Sequence, residues 1–231
     1  MRRTIDIKKS SDGRRRSFAR ADSKERWKQI LQLSGHLFYQ KGFVSTSMED
    51  VSEAVGLLKG SLYHYIRSKE DLLFEVLEGL HVDGEEIIAA VQFESDDPMA
   101  QLRQYLKRAA IFAGNNAERL AIFFRDFDKV PSDRRSEIIS EREMYTQTVA
   151  RLLTEAKAKG LTAPMLDVRL ASKLISGAIS STHEWLRPHG RQPLEDAAEE
   201  IANFLIDGIT PKVPRKVKKD ARNRVKSNAR G

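Results

Sequence analysis

Cysteine is absent from all 231 residues. Disulfides, thiolate-held zinc and a cysteine nucleophile are therefore excluded, and an intracellular setting is compatible with the chain. Proline (7) and glycine (13) are scarce, and aromatic residues make up only 7%. No run of alternating β-branched residues appears, so the expected fold class is all-α. No apolar stretch approaches the length of a bilayer span, and the basic N-terminus has no apolar segment behind it. A cytoplasmic location without a membrane partner is expected. Catalytic signatures are missing as well: there is no G-x-S-x-G, no phosphate-cradling glycine loop and no H-E-x-x-H. The five histidines (His36, His64, His81, His183, His189) form no H-x-x-x-H pair. Neither an enzyme, a metal site nor a cofactor is expected. Asp126 and Asp128 read as a solvated helix end rather than an acid/base pair.

What the chain does have is charge at its ends. The net charge is +7. Residues 1–20 hold eight Lys/Arg against two Asp and residues 211–231 nine against one, which leaves the middle at −7. A mildly acidic body with two basic arms attracts polyanions through the arms. For the C-terminal tail, a merely solubilising role is an equal reading.

Four regions are expected: a basic flexible arm (1–22), a small helical unit (23–80), a larger helical body (81–210) and a basic flexible tail (211–231). Ser23 is a candidate N-cap. After it, Trp27, Ile30, Leu31, Ser34, Leu37 and Phe38 recur at helical spacing, and Gly42 closes the helix. Ser47 and Asp50 form a short capping box before a second helix that buries Met48, Val51, Ala54 and Val55. Gly56 turns the chain into a third helix over 58–66, with Leu62 and Ile66 inward. Ser68 caps a fourth, running to about residue 93. Further helices are expected over about 98–114, 117–128, 131–159, 167–186 and 194–209, giving about nine.

Residues 46–69 carry the chemistry. A short helix, a glycine turn and a second short helix make a helix-turn-helix, which places one helix in a DNA major groove. Lys59 can donate to guanine O6 and N7, and Gly60 lets the backbone approach a base edge. Ser61 and His64 face the same way. Thr46 and Ser47 stand at a helix N-terminus, where phosphate binds readily.

The run Gly42-Phe43, Thr46-Ser47-Met48, Val51, Val55-Gly56-Leu57, Lys59-Gly60-Ser61-Leu62-Tyr63, Tyr65-Ile66, Ser68-Lys69-Glu70-Asp71-Leu72-Leu73 resembles the DNA-binding domain of the tetracycline-repressor (TetR/AcrR) family over about residues 24–80. Leu58 departs from the family's frequent capping serine and Ile66 from a frequent phenylalanine; neither departure disturbs the DNA-facing positions. The resemblance implies an N-terminal DNA-binding domain followed by a helical ligand-binding and dimerisation domain. It also implies phosphate contacts from Tyr63, Tyr65 and Lys69.

The body resembles the family less closely. The segment Thr182-His183-Glu184-Trp185-Leu186-Arg187-Pro188-His189-Gly190 and the long helix ending at Lys159-Gly160 are similar to a subgroup whose members often answer to acyl-CoA thioesters. Phe112, Phe123, Phe124, Phe127, Met144, Tyr145 and Trp185 are the candidates to line an apolar pocket. Arg119, Arg125 and Arg142 are candidates to meet an anionic ligand group. Helices 167–186 and 194–209 are the expected dimer-forming pair. Leu170, Leu174, Ile175, Ala178 and Ile179 make one apolar face, and Ile201, Phe204, Leu205 and Ile209 the other.

The expectation is a homodimeric, ligand-responsive regulator that binds a palindromic DNA operator, acting as a repressor released by an apolar or amphipathic metabolite. The alternative is a ligand-independent architectural DNA-binding protein using its basic arms.

Overall fold

The computed structural model describes residues 8–211; the side chains of residues 8–22, 79, 81–85, 91–94, 136–138 and 140–142 lie outside that description. Most of the basic tail, the first seven residues of the arm and the Arg142 side chain are thus outside it. The described residues form nine α-helices and two 3₁₀ turns: α1 (Lys8–Lys41), α2 (Met48–Ala54), α3 (Lys59–Leu62), α4 (Lys69–Glu94), α5 (Pro98–Asn115), α6 (Ala117–Asp126) running into a 3₁₀ turn at Phe127–Lys129, α7 (Ser132–Ala158), α8 (Val168–Ser181) followed by a second at Thr182–Glu184, and α9 (Leu194–Ile209).

Most boundaries obey local chemistry. The Ser47 hydroxyl accepts from the Asp50 N–H at 3.1 Å, and the Asp50 carboxylate accepts from the Ser47 N–H at 2.8 Å, completing the capping box. At the heads of α4 and α5 the Ser68 hydroxyl accepts from the Asp71 N–H and the Asp97 carboxylate from the Met99 N–H. Gly42 (φ 85°) and Gly160 (φ 71°) take the left-handed backbone that ends α1 and α7.

Three expectations fail. α1 does not start at Ser23, which lies inside the helix; it begins at Lys8. The intervening residues contain no proline, and four arginines, two lysines and two alanines favour helix, which outweighs Gly13. The third helix is shorter than 58–66. Only Lys59–Leu62 is α-helical, Leu58 supplies no side-chain cap, and His64 and Tyr65 bond three residues back, tightening the chain into a turn. Ala54 is exposed rather than buried.

One core joins α1–α4: Ile30, Phe38, Val51, Leu62, Leu72, Leu73, Phe74 and Leu77 are almost fully buried, with Ile122, Phe123 and Val130 packed into the same cluster. A second core joins α5, α7, α8 and α9 around Leu102, Leu106, Leu152, Leu153, Ile175, Ala202 and Ile206. Burial of this many aliphatic side chains is what holds the helices together.

Candidate functional site

The α2–α3 surface is built outward from the first core. Val51, Val55, Leu62 and Ile66 point in, which leaves Ser47, Lys59, Gly60, Tyr63, His64 and Tyr65 exposed and Ser61 partly so. Gly60 does not take a positive φ, and a Cβ built there meets nothing within 4 Å. Nothing inside the described chain demands a glycine at this position, so the vacant side-chain space is available to an approaching partner. The Tyr65 ring stacks on Trp27 of α1, with centroids 6.4 Å apart and planes 4° from parallel, which fixes its orientation. Leu58, exposed at the head of α3, joins this face.

Two expected phosphate contacts are engaged elsewhere. Thr46 is 1% exposed, and its hydroxyl donates to the Gly42 carbonyl at 2.8 Å. Its own N–H bonds the Phe43 carbonyl. The Lys69 ammonium donates to the carbonyls of Phe43 and Thr46, each at 2.8 Å, and lies 4.4 Å from the Phe43 ring centroid. It ties down the loop between α1 and α2 instead of pointing at solvent. Ser47 remains at the surface, its hydroxyl shared with Asp50. The Asp50 carboxyl is held well below the usual carboxylate range by its hydrogen bonds to Lys41 and Ser47.

The body contains an apolar cavity of about 400 Å³ between α5, α7 and α8. Leu106, Phe112, Val149, Ile175 and Ile179 are among its walls, and Tyr105, Tyr145, Thr146 and Ser176 bring hydroxyl-bearing side chains. Lys173, exposed on α8, is also among its lining residues. The buried Tyr105 phenol has its pKa pushed up by desolvation and stays neutral. Of the expected liners only Phe112 and Tyr145 are present. Phe123 and Phe127 pack on the first core, because α6 turns that face toward α1 and α4. Phe124 stacks on His183 at 4.9 Å. Met144 packs against the second core without lining the cavity. Arg125 is directed at α1, and Trp185 is 60% exposed. The missed liners Tyr105 and Ala109 share one face of α5 with Phe112, a spacing visible in the sequence.

Residues 30–76 match the family model described as bacterial regulatory proteins, tetR family, and residues 95–209 match the tetracyclin repressor-like C-terminal domain. The chain belongs to the TetR family. Among curated relatives it is 27% identical to the transcriptional repressor KstR2 of Rhodococcus jostii over 188 residues, covering 78% of this chain and 89% of that protein. Its fold superposes on the structure of the ketosteroid transcriptional regulator KstR2 of Mycobacterium tuberculosis with a TM-score of 0.75 at 22% identity, covering 81% and 96% of the two chains. It also superposes on AibR, solved in complex with isovaleryl coenzyme A and operator DNA, with a TM-score of 0.68 at 23% identity, covering 81% and 100%.

In this TetR-family regulator α6 grips the DNA-reading unit from the body side. Arg125 donates to the carbonyls of Phe38 (2.5 Å) and Tyr39 (3.3 Å) at the end of α1, while pairing with Asp126 at 2.9 Å. Arg119 donates to the Val76 carbonyl of α4 at 2.9 Å, so neither arginine meets the cavity. His36 of α1 reaches Glu118 at 3.1 Å. From the head of α7, Arg134 lies 3.4 Å from the Phe74 ring centroid and 3.7 Å from Glu75 on α4. A cleft of about 720 Å³ is lined by α1, α4 and the α5–α6 junction, Trp27, Leu31, Tyr39, Glu75 and Glu118 among its walls.

The outer surface of α8 and α9 keeps apolar side chains in the open: Leu170 (56%), Leu174 (64%) and Phe204 (78%). Ile175 and Ile209, expected on the same faces, pack inside the subunit. Among the described residues no helix is long and apolar enough to cross a membrane.

Proposed function

We propose that this regulator is a repressor that binds a palindromic operator as a homodimer and is released by an apolar or amphipathic effector, with an acyl-CoA thioester as the favoured class. Residues 23–80 form the DNA-binding unit and 81–210 the effector and dimer unit. The observation that carries the reading is the exposed set Lys59, Gly60, Ser61, Tyr63 and His64 on one surface, joined through α4 and α6 to a body with an apolar cavity. Lys59, Gly60, Ser61 and His64 face base edges, and Ser47, Tyr63 and Tyr65 face phosphates.

Leu170, Leu174 and Phe204 supply the apolar dimer surface, and Trp185 extends it beyond α8. A twofold axis there presents two copies of α3 to successive major grooves, about 34 Å apart. The cavity takes the acyl group, and coenzyme A leaves by the open side where Lys173 offers a cation. The complex of AibR with isovaleryl coenzyme A and operator DNA, a protein of the same fold, supports this effector class. The effector acts by preferring a subunit arrangement in which the two α3 helices no longer match the groove spacing.

The test begins with duplexes recovered from a random-sequence pool by retention on the protein. Enrichment of a palindrome is expected. Acetyl-, isovaleryl- and octanoyl-CoA and the matching free acids are then titrated against the bound palindrome. Release by a thioester but not its acid supports the full reading, and release by the acids alone moves the effector class. A protein that enriches no sequence is an architectural binder instead.

A further inference from the structure

Glu49 and Lys59 belong to different helices of the helix-turn-helix, yet their side chains form an ion pair across it. Glu49 sits in the first turn of α2 and Lys59 is the first residue of α3. The side chains are 63% and 48% exposed. The pair therefore lies on the surface with Gly60 and Tyr63, not in the core. Its neighbour Asp50 is committed to Lys41 at 2.7 Å and to the α2 cap. Of these two adjacent carboxylates, Glu49 is the one directed at the first residue of α3. The hydrogen bond that Lys59 donates to Glu49 lowers the Glu49 pKa and raises that of Lys59, so both stay charged at neutral pH.

An exposed ion pair of this kind contributes little to folding. Its consequence is for what Lys59 can do. A DNA phosphate approaching this ammonium must displace a carboxylate and then sit beside it as a like charge. Guanine O6 and N7 are neutral acceptors, which the ammonium can bond while Glu49 remains close. The carboxylate therefore opposes backbone contact more than base contact. Non-operator DNA is held almost entirely through phosphates.

We propose that Glu49 is a specificity-determining residue: it competes with DNA phosphate for Lys59 and so weakens binding to non-operator DNA more than to operator. This rests on the reading of the α2–α3 surface as the DNA-contacting one. Lys59 in wild type is already neutralised by its own chain and adds little to counterion release; without Glu49 it behaves as one further phosphate-binding cation.

The experiment compares wild type, E49Q, K59A, the E49Q/K59A double variant and E53Q by fluorescence anisotropy. The ligands are a 30-base-pair duplex of random sequence and the duplex enriched from the pool, across a salt series. E49Q is expected to bind random duplex roughly three- to tenfold more tightly at low salt. Its plot of log affinity against log salt steepens by about 0.9 for each subunit engaged. Operator affinity rises less, so the ratio of operator to random affinity falls. Glu53 is exposed on the same helix, and E53Q gives the effect of losing a carboxylate in general, which is expected to be smaller. In the K59A background E49Q changes little further. The proposal is overturned by an E49Q effect no larger than that of E53Q, by one that persists without Lys59, or by equal gains on both duplexes. A wild-type protein that enriches no sequence overturns the operator reading and this specificity role together. An enriched sequence with random-duplex affinity unchanged in E49Q overturns the role of Glu49 alone.

Discussion

The Lys69 ammonium is bonded to the Phe43 carbonyl at 2.8 Å while lying 4.4 Å from the centroid of the same residue's ring. One cation thus holds both the backbone and the side chain of the residue that leads from α1 toward α2. Replacing it with methionine leaves the carbonyls of Phe43 and Thr46 without their charged donor. The expected loss is about 2 kcal/mol of unfolding free energy, measured by chemical denaturation. The salt dependence of DNA binding should keep its slope. A slope shallower by about 0.9 per subunit would instead mark Lys69 as a phosphate contact.

Acid should loosen α2 through Asp50. Its folded-state pKa is depressed by Lys41 and Ser47, so the stabilisation is fully present above the unfolded carboxyl value of about 3.9. It is lost as pH falls through the depressed folded value. Asp50→Asn removes the part of the pH dependence below about pH 4 that this residue contributes, which denaturation at a series of pH values will show. Ser47→Ala, by removing the cap oxygen, costs about 1 kcal/mol at neutral pH.

Arg125 offers a direct test of communication between body and DNA-reading unit. Its guanidinium joins α6 to the last carbonyls of α1, outside the cavity. Arg125→Ala is expected to leave effector binding nearly unchanged while shrinking the effector's influence on operator affinity by about 0.5–2 kcal/mol. Operator affinity measured with and without a saturating thioester separates the two effects.

The Ser176 hydroxyl is buried and has no hydrogen-bond partner, whereas Ser172 and Ser181 on the same helix bond back to carbonyls three residues earlier. Deleting a polar group that is already unsatisfied forfeits no bond. Ser176→Ala is expected to raise the melting temperature slightly or leave it unchanged. A clear fall would show that the hydroxyl has a partner in solution.

Much of the fold was readable because its signals are local. Ser47 with Asp50, Asp97 with Pro98, and Gly42 and Gly160 mark helix ends through bonds spanning a few residues, and the apolar stripes repeat with the helical period. The start of α1 departs from its local signal for a related reason. Ser23 has the right side chain for a cap, but a cap acts only where the helix must begin, and no proline upstream breaks it.

The candidate sites divided along the same line. Lys59, Gly60, Ser61, Tyr63, His64 and Tyr65 are close in sequence, and one turn geometry places them together, so the sequence by itself determined the helix-turn-helix and its outward set. It also determined an all-helical chain. Only the tertiary structure decided that Lys69 reaches back 26 residues to Phe43 and that Arg125 reaches back 87 to Phe38. The same holds for Thr46 being buried, for Trp185 lying outside while Phe112 and Tyr145 line the cavity, and for Glu49 meeting Lys59. A side chain's type limits which bonds it can make. Which acceptor or wall it meets depends on how whole helices pack, and that packing is set by apolar surface summed over segments far apart in the chain.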